Sequence, residues 1–330
     1  MKERDRMNKL AFVFSGQGSQ YIGMGQGIYN EYKTARETFE EVSDYIGFDV
    51  RKVCFDGPLT VLLHTKNSHI SILTNGIAAF RVFMEETNCE PQFCAGHSLG
   101  EYIALTCAGV FSLRDVIKLI SYRVELADLA QKDGGGMTIV ENIESDMVDE
   151  ICMNNCRPGN EIYVSCYTTP TQTTLSGLSK ALYNVEESII QKGGQITPLI
   201  GCAPYHSPLM EPYTALLRKE LSGIVIQKPC YPIVANVSGK LYEETESIAE
   251  NLVKHFVKPV QWIKTIAFLA EQKIDRVVEM GPKRLLTNTI GGRYPEMEAF
   301  CMGEKKSRKA IAELFNKDSY MIIDSQFPKT

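Results

Sequence analysis

The stretch that most limits how this chain can fold is Phe93-Cys94-Ala95-Gly96-His97-Ser98-Leu99-Gly100-Glu101-Tyr102. Small and apolar residues run into Gly96-His97-Ser98-Leu99-Gly100, and a helix-forming segment, Glu101 to Gly109, follows. The order predicts strand, sharp turn and helix, with a serine at the apex. Glycines two before and two after Ser98 allow a bend that side chains would block. A serine so placed stands clear of the chain at a helix N-terminus, the nucleophile elbow that suits attack on a carbonyl.

A strand entering such an elbow needs partners. Leu10-Ala11-Phe12-Val13-Phe14 is a continuous apolar run, the mark of a strand buried on both faces of a parallel sheet. It leads into Ser15-Gly16-Gln17-Gly18-Ser19-Gln20. This loop lacks the Gly-Lys-Ser/Thr of a phosphate loop and the third spaced glycine of a dinucleotide site. Gln17 is then either a neutral donor to a substrate oxygen or a turn residue bonding its own loop. Helical patterns follow over Tyr29–Tyr45, 59–64 and 70–86, and after the elbow over Leu113–Gln131. On that last helix Arg123 shares the apolar face with Leu119 and Ala127. A guanidinium there finds an anion within the fold, snorkels to water, or waits as a fork for a substrate carboxylate.

Beyond Gly134-Gly135-Gly136 the pattern becomes strand, helix, strand, strand, helix, strand over residues 136–200, a ferredoxin-like order. The expected architecture is α/β: a large α/β-hydrolase-like domain with a parallel sheet (1–135 and 201–316), an inserted ferredoxin-like subdomain (136–200) and a tail (317–330). His206 lies in a Pro-flanked loop and is one of five histidines, a surface residue or a base. Strands are expected at Tyr231–Val237 and Arg276–Met280, and helices at Ile248–Val257, Ile263–Gln272 and Lys305–Phe315.

A net charge of −5 argues against a nucleic-acid binder acting through overall basicity. No apolar run approaches the roughly 18 residues of a membrane span. The charged start, Met1-Lys2-Glu3-Arg4-Asp5-Arg6, has no apolar stretch behind it, so no secretory leader is expected. Ten cysteines without a C-x-x-C pair or zinc spacing read as reduced core thiols, with no metal site expected.

Taken together, Gly-Gln-Gly-Ser-Gln at 16–20, Gly-His-Ser-Leu-Gly-Glu at 96–101, Arg123, His206 before Ser-Pro-Leu-Met, Pro259-Val260-Gln261-Trp262 and Gly281-Pro282 resemble the malonyl-CoA:acyl carrier protein transacylases in order and spacing. The resemblance spans about residues 9–315 and includes the fatty-acid enzymes and the stand-alone acyltransferases of polyketide synthases. It implies a cytoplasmic monomer that uses malonyl-CoA and a phosphopantetheinylated acyl carrier protein, without metal or other cofactor. It also implies roles. Ser98 is acylated and His206 moves its proton; the backbone N–H groups of Gln17 and Leu99 form the oxyanion hole; Arg123 pairs with the malonyl carboxylate. The backbone carbonyl of His255 orients His206, although the family commonly has Gln or Asn there. The chain departs from the family pattern at His69, where Gln is usual, at Thr168, where Asn is usual, and, mildly, at Ser15, where many members have Pro; His69 and Thr168 are expected to bear on specificity. Tyr205 stands where malonyl-specific members often carry Phe and methylmalonyl-specific members Ser, so its ring should crowd an α-methyl group. The competing reading is a related thioester hydrolase; retention of Arg123 favours transfer. A basic region at Lys283, Arg284, Arg293, Lys305, Lys306, Arg308 and Lys309 is either a carrier-docking surface or a solvated face.

Overall fold

A computed structural model describes residues 9–326 other than 133 and 200, with side chains described as far as 315. Strand β1 (Leu10–Phe14) is buried along its whole length. Its alternate residues enter two different cores: Leu10, Phe12 and Phe14 one, Ala11 and Val13 the other. That division explains an unbroken apolar run, because a strand covered on both faces has no solvent side to make polar.

Between β1 and the elbow strand come helices α1 (Gln26–Glu31), α2 (Lys33–Ile46), α3 (Val50–Phe55), α4 (Leu59–Leu63) and α5 (Thr65–Thr87). The helical pattern over Tyr29–Tyr45 is thus two helices, broken at Tyr32, whose backbone is extended. Arg36 explains the break: its Nη1 donates to the carbonyls of Tyr29 and Asn30, taking up the end of α1. Strand β2 (Phe93–Gly96) then leads into α6 (Leu99–Cys107), followed by α7 (Leu113–Lys132).

The next segment builds a second sheet from β3 (Gly135–Glu141), α8 (Ser145–Asn155), β4 (Ile162–Thr169), β5 (Gln172–Leu178), α9 (Ser179–Gln191) and β6 (Gln195–Leu199). Its order is β4-β5-β3-β6, wholly antiparallel, over a core that includes Val140, Val148, Leu175 and Val185. This is the ferredoxin-like arrangement. Main-chain bonds tie it to the larger part: Tyr167 N–H donates to Val260 O and Val260 N–H to Ser165 O, both at 2.9 Å.

After a 3₁₀ segment at Pro208–Tyr213, the chain forms α10 (Thr214–Ser222), β7 (Ile233–Val234), α11 (Ser247–Val257), α12 (Trp262–Glu271), β8 (Arg276–Met280), α13 (Thr287–Gly291), β9 (Glu298–Cys301) and α14 (Lys305–Gln326). The first sheet has the order β7-β2-β1-β8-β9, and every pairing in it is parallel. Two expectations are corrected here. The strand expected at Tyr231–Val237 keeps only two residues, because the chain turns at Ala235 and sends Asn236 towards the elbow. The last helix runs to Gln326, past the Phe315 at which its sequence pattern stops.

Candidate active site

The elbow is as tight as its glycines suggest. Ser98 has φ 55° and ψ −113°, a backbone state that a non-glycine residue adopts only under constraint. A Cβ on Gly96 would lie 2.0 Å from the Gly100 carbonyl oxygen, and one on Gly100 would lie 1.9 Å from Phe14 O. Strand β2, the elbow and the end of β1 therefore meet through bare backbone. Asn236 clamps the turn: its Oδ1 accepts from Ser98 N–H at 2.9 Å, and its Nδ2 donates to Gly96 O at 2.5 Å.

His206 comes from the loop after the second sheet. Its backbone has φ 60°, and its N–H donates to Phe256 O at 3.1 Å. Nε2 lies 2.7 Å from Ser98 Oγ, and Nδ1 lies 2.6 Å from the His255 carbonyl. A carbonyl only accepts, so Nδ1 carries the hydrogen and Nε2 presents its lone pair to the serine. Burial holds His206 well below the ordinary imidazole range, helped by the charges of His255 and Arg123. The ring is therefore neutral at neutral pH and ready to take a proton.

A cavity of about 480 Å³ opens over this pair, lined by Gln17, Ser98, Tyr205 and His206 with Met137 and Thr168 from the second sheet. The side chain of Gln17 is turned sideways: Nε2 contacts Cys202 Sγ at 2.9 Å, and Oε1 lies 3.2 Å from His69 Nε2. Leu99 begins α6, so its N–H has no acceptor inside the helix. His69 is buried in α5, and its imidazole is pushed down to about 3 by burial and by Arg123.

Arg123 is 1% exposed. Its guanidinium carbon lies 4.3 Å from the centroid of Tyr205, 5.3 Å from Tyr102 and 5.6 Å from Phe256. Nε has no hydrogen-bond partner, and among the described residues no carboxylate pairs with the guanidinium. Of the three sequence readings, an ion pair within the fold and escape to water are both removed. The cation is dry, held by three aromatic faces, and reached from the cavity by way of Tyr205.

Behind His206 lies a group of side chains to which the sequence patterns gave no role. Glu101, 1% exposed, lies one turn past Ser98 and brings Oε2 within 2.8 Å of His255 Nδ1. Its Oε1 accepts from Asn236 N–H and from Tyr242 Oη, each at 2.9 Å. Glu101 was visible as the last residue of the elbow motif, but nothing local marked Asn236 or Tyr242.

The basic C-terminal region is only partly a surface. Arg308 is buried, its Nη2 lies 2.8 Å from Glu31, and Nη1 donates to Met302 O. Arg284 pairs with Glu304 at 2.8 Å, and Lys305 reaches Glu31 at 3.4 Å. These three join the chain's end to its beginning and to its last strand. Arg293, Lys306 and Lys309 are exposed, and Lys283 is half-buried.

Among the described residues no helix is long and apolar enough to cross a membrane, and no group of three or more His, Cys, Asp or Glu is placed to hold a metal ion.

A hydroxyl raised on a strained turn, with a neutral base on its oxygen and a cavity above both, is the apparatus of enzymes that carry an acyl group on serine. The acyl transferase domain family matches residues 11–318. A malonyl CoA-acyl carrier protein transacylase of Bacillus subtilis is 33% identical over 96% of this chain and 79% of its own length. One from Salmonella typhimurium is 32% identical over 92% of this chain and 99% of its own. Among solved structures, a malonyl-transacylase in complex with its type II polyketide synthase acyl-carrier protein superposes with a TM-score of 0.88 at 31% identity, covering 92% of this chain and 99% of that one. An acyl-carrier-protein S-malonyltransferase from Burkholderia pseudomallei gives a TM-score of 0.87 at 29% identity, covering 93% and 99%. The chain belongs to the acyl transferase family, among the malonyl CoA-acyl carrier protein transacylases, and it is an acyltransferase.

Proposed function

We propose that the protein moves a malonyl group from coenzyme A to the phosphopantetheine thiol of an acyl carrier protein, by way of an ester on Ser98. Ser98 Oγ attacks the thioester carbonyl while His206 Nε2 takes the hydroxyl proton. The Gln17 and Leu99 backbone N–H groups receive the oxyanion. Collapse of the tetrahedral adduct breaks the C–S bond, and His206 returns the proton to the departing coenzyme A thiolate. The carrier thiol then gives its proton to His206, attacks the ester carbonyl, and releases Ser98 protonated by the same imidazole. Each half-reaction exchanges one acyl oxygen or sulfur bond for another. The thioester is already activated, and no metal or further cofactor takes part in the scheme.

The observation that carries this reading is Arg123, a buried cation with no carboxylate partner among the described residues, one aromatic ring away from His206. A carboxylate at the far end of the acyl group supplies the missing partner. Tyr205 sits between, 3% exposed, and its ring leaves little room for a methyl group at the malonyl α-carbon. His69 and Thr168 border the same region, and we assign them to acyl selection. Arg293, Lys306, Lys309 and Lys283 remain for an acidic carrier. We take the enzyme to work in the cytoplasm as a monomer, a setting that suits its ten free cysteines.

Incubation with malonyl-CoA and holo carrier protein, read by intact mass, tests the scheme. The expected result is a malonylated enzyme that Ser98→Ala abolishes, followed by malonylated carrier. Free malonate without malonylated carrier would establish the hydrolase instead.

A further inference from the structure

Glu101 and His255 stand out because neither touches the cavity, yet together they bridge the two halves of the reacting pair. Glu101 belongs to α6, three residues past the nucleophile. His255 belongs to α11, and its carbonyl is the acceptor for His206 Nδ1 at 2.6 Å. Its side chain turns back: Nδ1 meets Glu101 Oε2 at 2.8 Å, and the imidazole stacks on His206 with centroids 4.5 Å apart and planes 25° apart. Through Asn236, which donates to Glu101 and accepts from Ser98 N–H, the same carboxylate also holds the elbow.

We propose that Glu101 and His255 form a positioning pair for the transfer reaction. The carboxylate fixes the His255 ring, and that ring, stacked on His206, holds the base over Ser98. This assignment rests on the Ser98–His206 reading above and adds to it the side chains that hold the base in place. Replacing the His255 side chain leaves the main-chain acceptor in place but removes the ring stacked on His206. The pair also lies against a base kept in its neutral, working form, whose proton affinity is lowered by burial first and by His255 second.

Other groups face the stack, and all act on it. Tyr102 packs its ring 6.4 Å from His255, and Tyr242 donates to Glu101. His97, beside Trp262, is itself pushed down to about 4 by burial and by His255. Arg123 adds its charge from the far side of Tyr102 and Phe256. Among the described residues, Glu101 is the carboxylate that lies against the His255 ring, at 2.8 Å.

The test is the pH profile of malonyl transfer by the full-length enzyme, for the unaltered protein, His255→Gln and Glu101→Gln. His255→Gln keeps the carbonyl but removes the stacked ring, so the plateau of kcat/KM above pH 8 should fall several-fold without being lost. Its acid limb should move up by about half a pH unit or more, because His206 loses a repelling neighbour. Glu101→Gln should move the limb the same way and lower kcat with little change in KM, since both residues lie outside the cavity. His255→Asn replaces His255→Gln if the latter does not fold. Superimposable profiles for the folded variants and the unaltered enzyme would overturn the assignment and leave the transfer reaction standing. No transfer by the unaltered enzyme would instead overturn the proposed function.

Discussion

Replacing Arg123 by alanine is the sharpest trial of the substrate reading. The guanidinium is 1% exposed and touches three aromatic faces, so its charge is poorly screened by water. Removing one member of a buried ion pair leaves the other charge stranded, at about 3–5 kcal/mol. Expressed as a rate, that is a fall in kcat/KM for malonyl-CoA of about a hundredfold to several thousandfold. Acetyl-CoA has no carboxylate, so its transfer should hold steady or improve in the space left behind. The assay is acyl-enzyme formation from each thioester at pH 8. High pH matters, because Arg123 also holds His206 and His69 below their ordinary range and its loss lets both rise. At pH 8 both remain neutral with or without Arg123, and the carboxylate contact is read alone. The fold should survive, losing about 1–2 kcal/mol of cation–π contact and some packing. Malonyl transfer reduced less than about tenfold, or malonyl and acetyl transfer reduced equally, would refute the argument.

Acid should unfold the protein through its buried imidazoles. His69 and His97 are pushed down to about 3 and about 4, below the ordinary value of 6.5. The unfolded chain therefore binds protons more readily, and stability that is complete above pH 6.5 is lost as the pH falls towards those values. At pH 5 each residue costs about 2 kcal/mol, and urea midpoints at pH 7, 6 and 5 should show the loss, with His69→Gln removing one share. Gly100→Ala puts a Cβ 1.9 Å from Phe14 O and should cost about 3 kcal/mol or more by thermal unfolding, together with loss of acylation. Charge reversal at Lys306 and Lys309 should raise KM for the carrier several-fold in low salt and leave self-acylation unchanged. Arg308→Ala, which breaks a pair with Glu31, should lower stability by about 2–3 kcal/mol and spare carrier KM.

Local rules made the elbow and the second sheet legible. The glycines around Ser98 answer to contacts within a few residues or with the neighbouring strand, and such needs restrict residue type strongly. The alternation of strand and helix between 136 and 200 likewise reflects periodicity within each element. What stayed hidden depends on distant partners. Asn236 looked like one more residue of a strand, yet its side chain bonds Ser98, well over a hundred positions earlier. The break at Tyr32 is fixed by an arginine on the following helix. Arg308 read as part of a basic surface because nothing nearby in the chain announced Glu31, its partner at the opposite end. Charge, unlike apolarity, does not reveal from sequence which side of the surface it occupies.

The same distinction bears on why the base is oriented by a carbonyl. A carboxylate placed directly on His206 Nδ1 would stabilise the imidazolium and raise the proton affinity of the ring. Arg123 already supplies a positive charge close by, and the acyl group brings a negative one only when bound. A neutral acceptor fixes the tautomer without adding a permanent anion that would compete with the substrate for Arg123. The buried anion stands one residue further back, at Glu101, where His255 lies between it and the base. There it can hold Asn236, Tyr242 and His255 in place without touching the base. Two thiol exchanges at one serine need a base that returns to neutrality after each proton transfer. A carbonyl in contact with the ring, with the carboxylate behind His255, meets that need better than the reverse order.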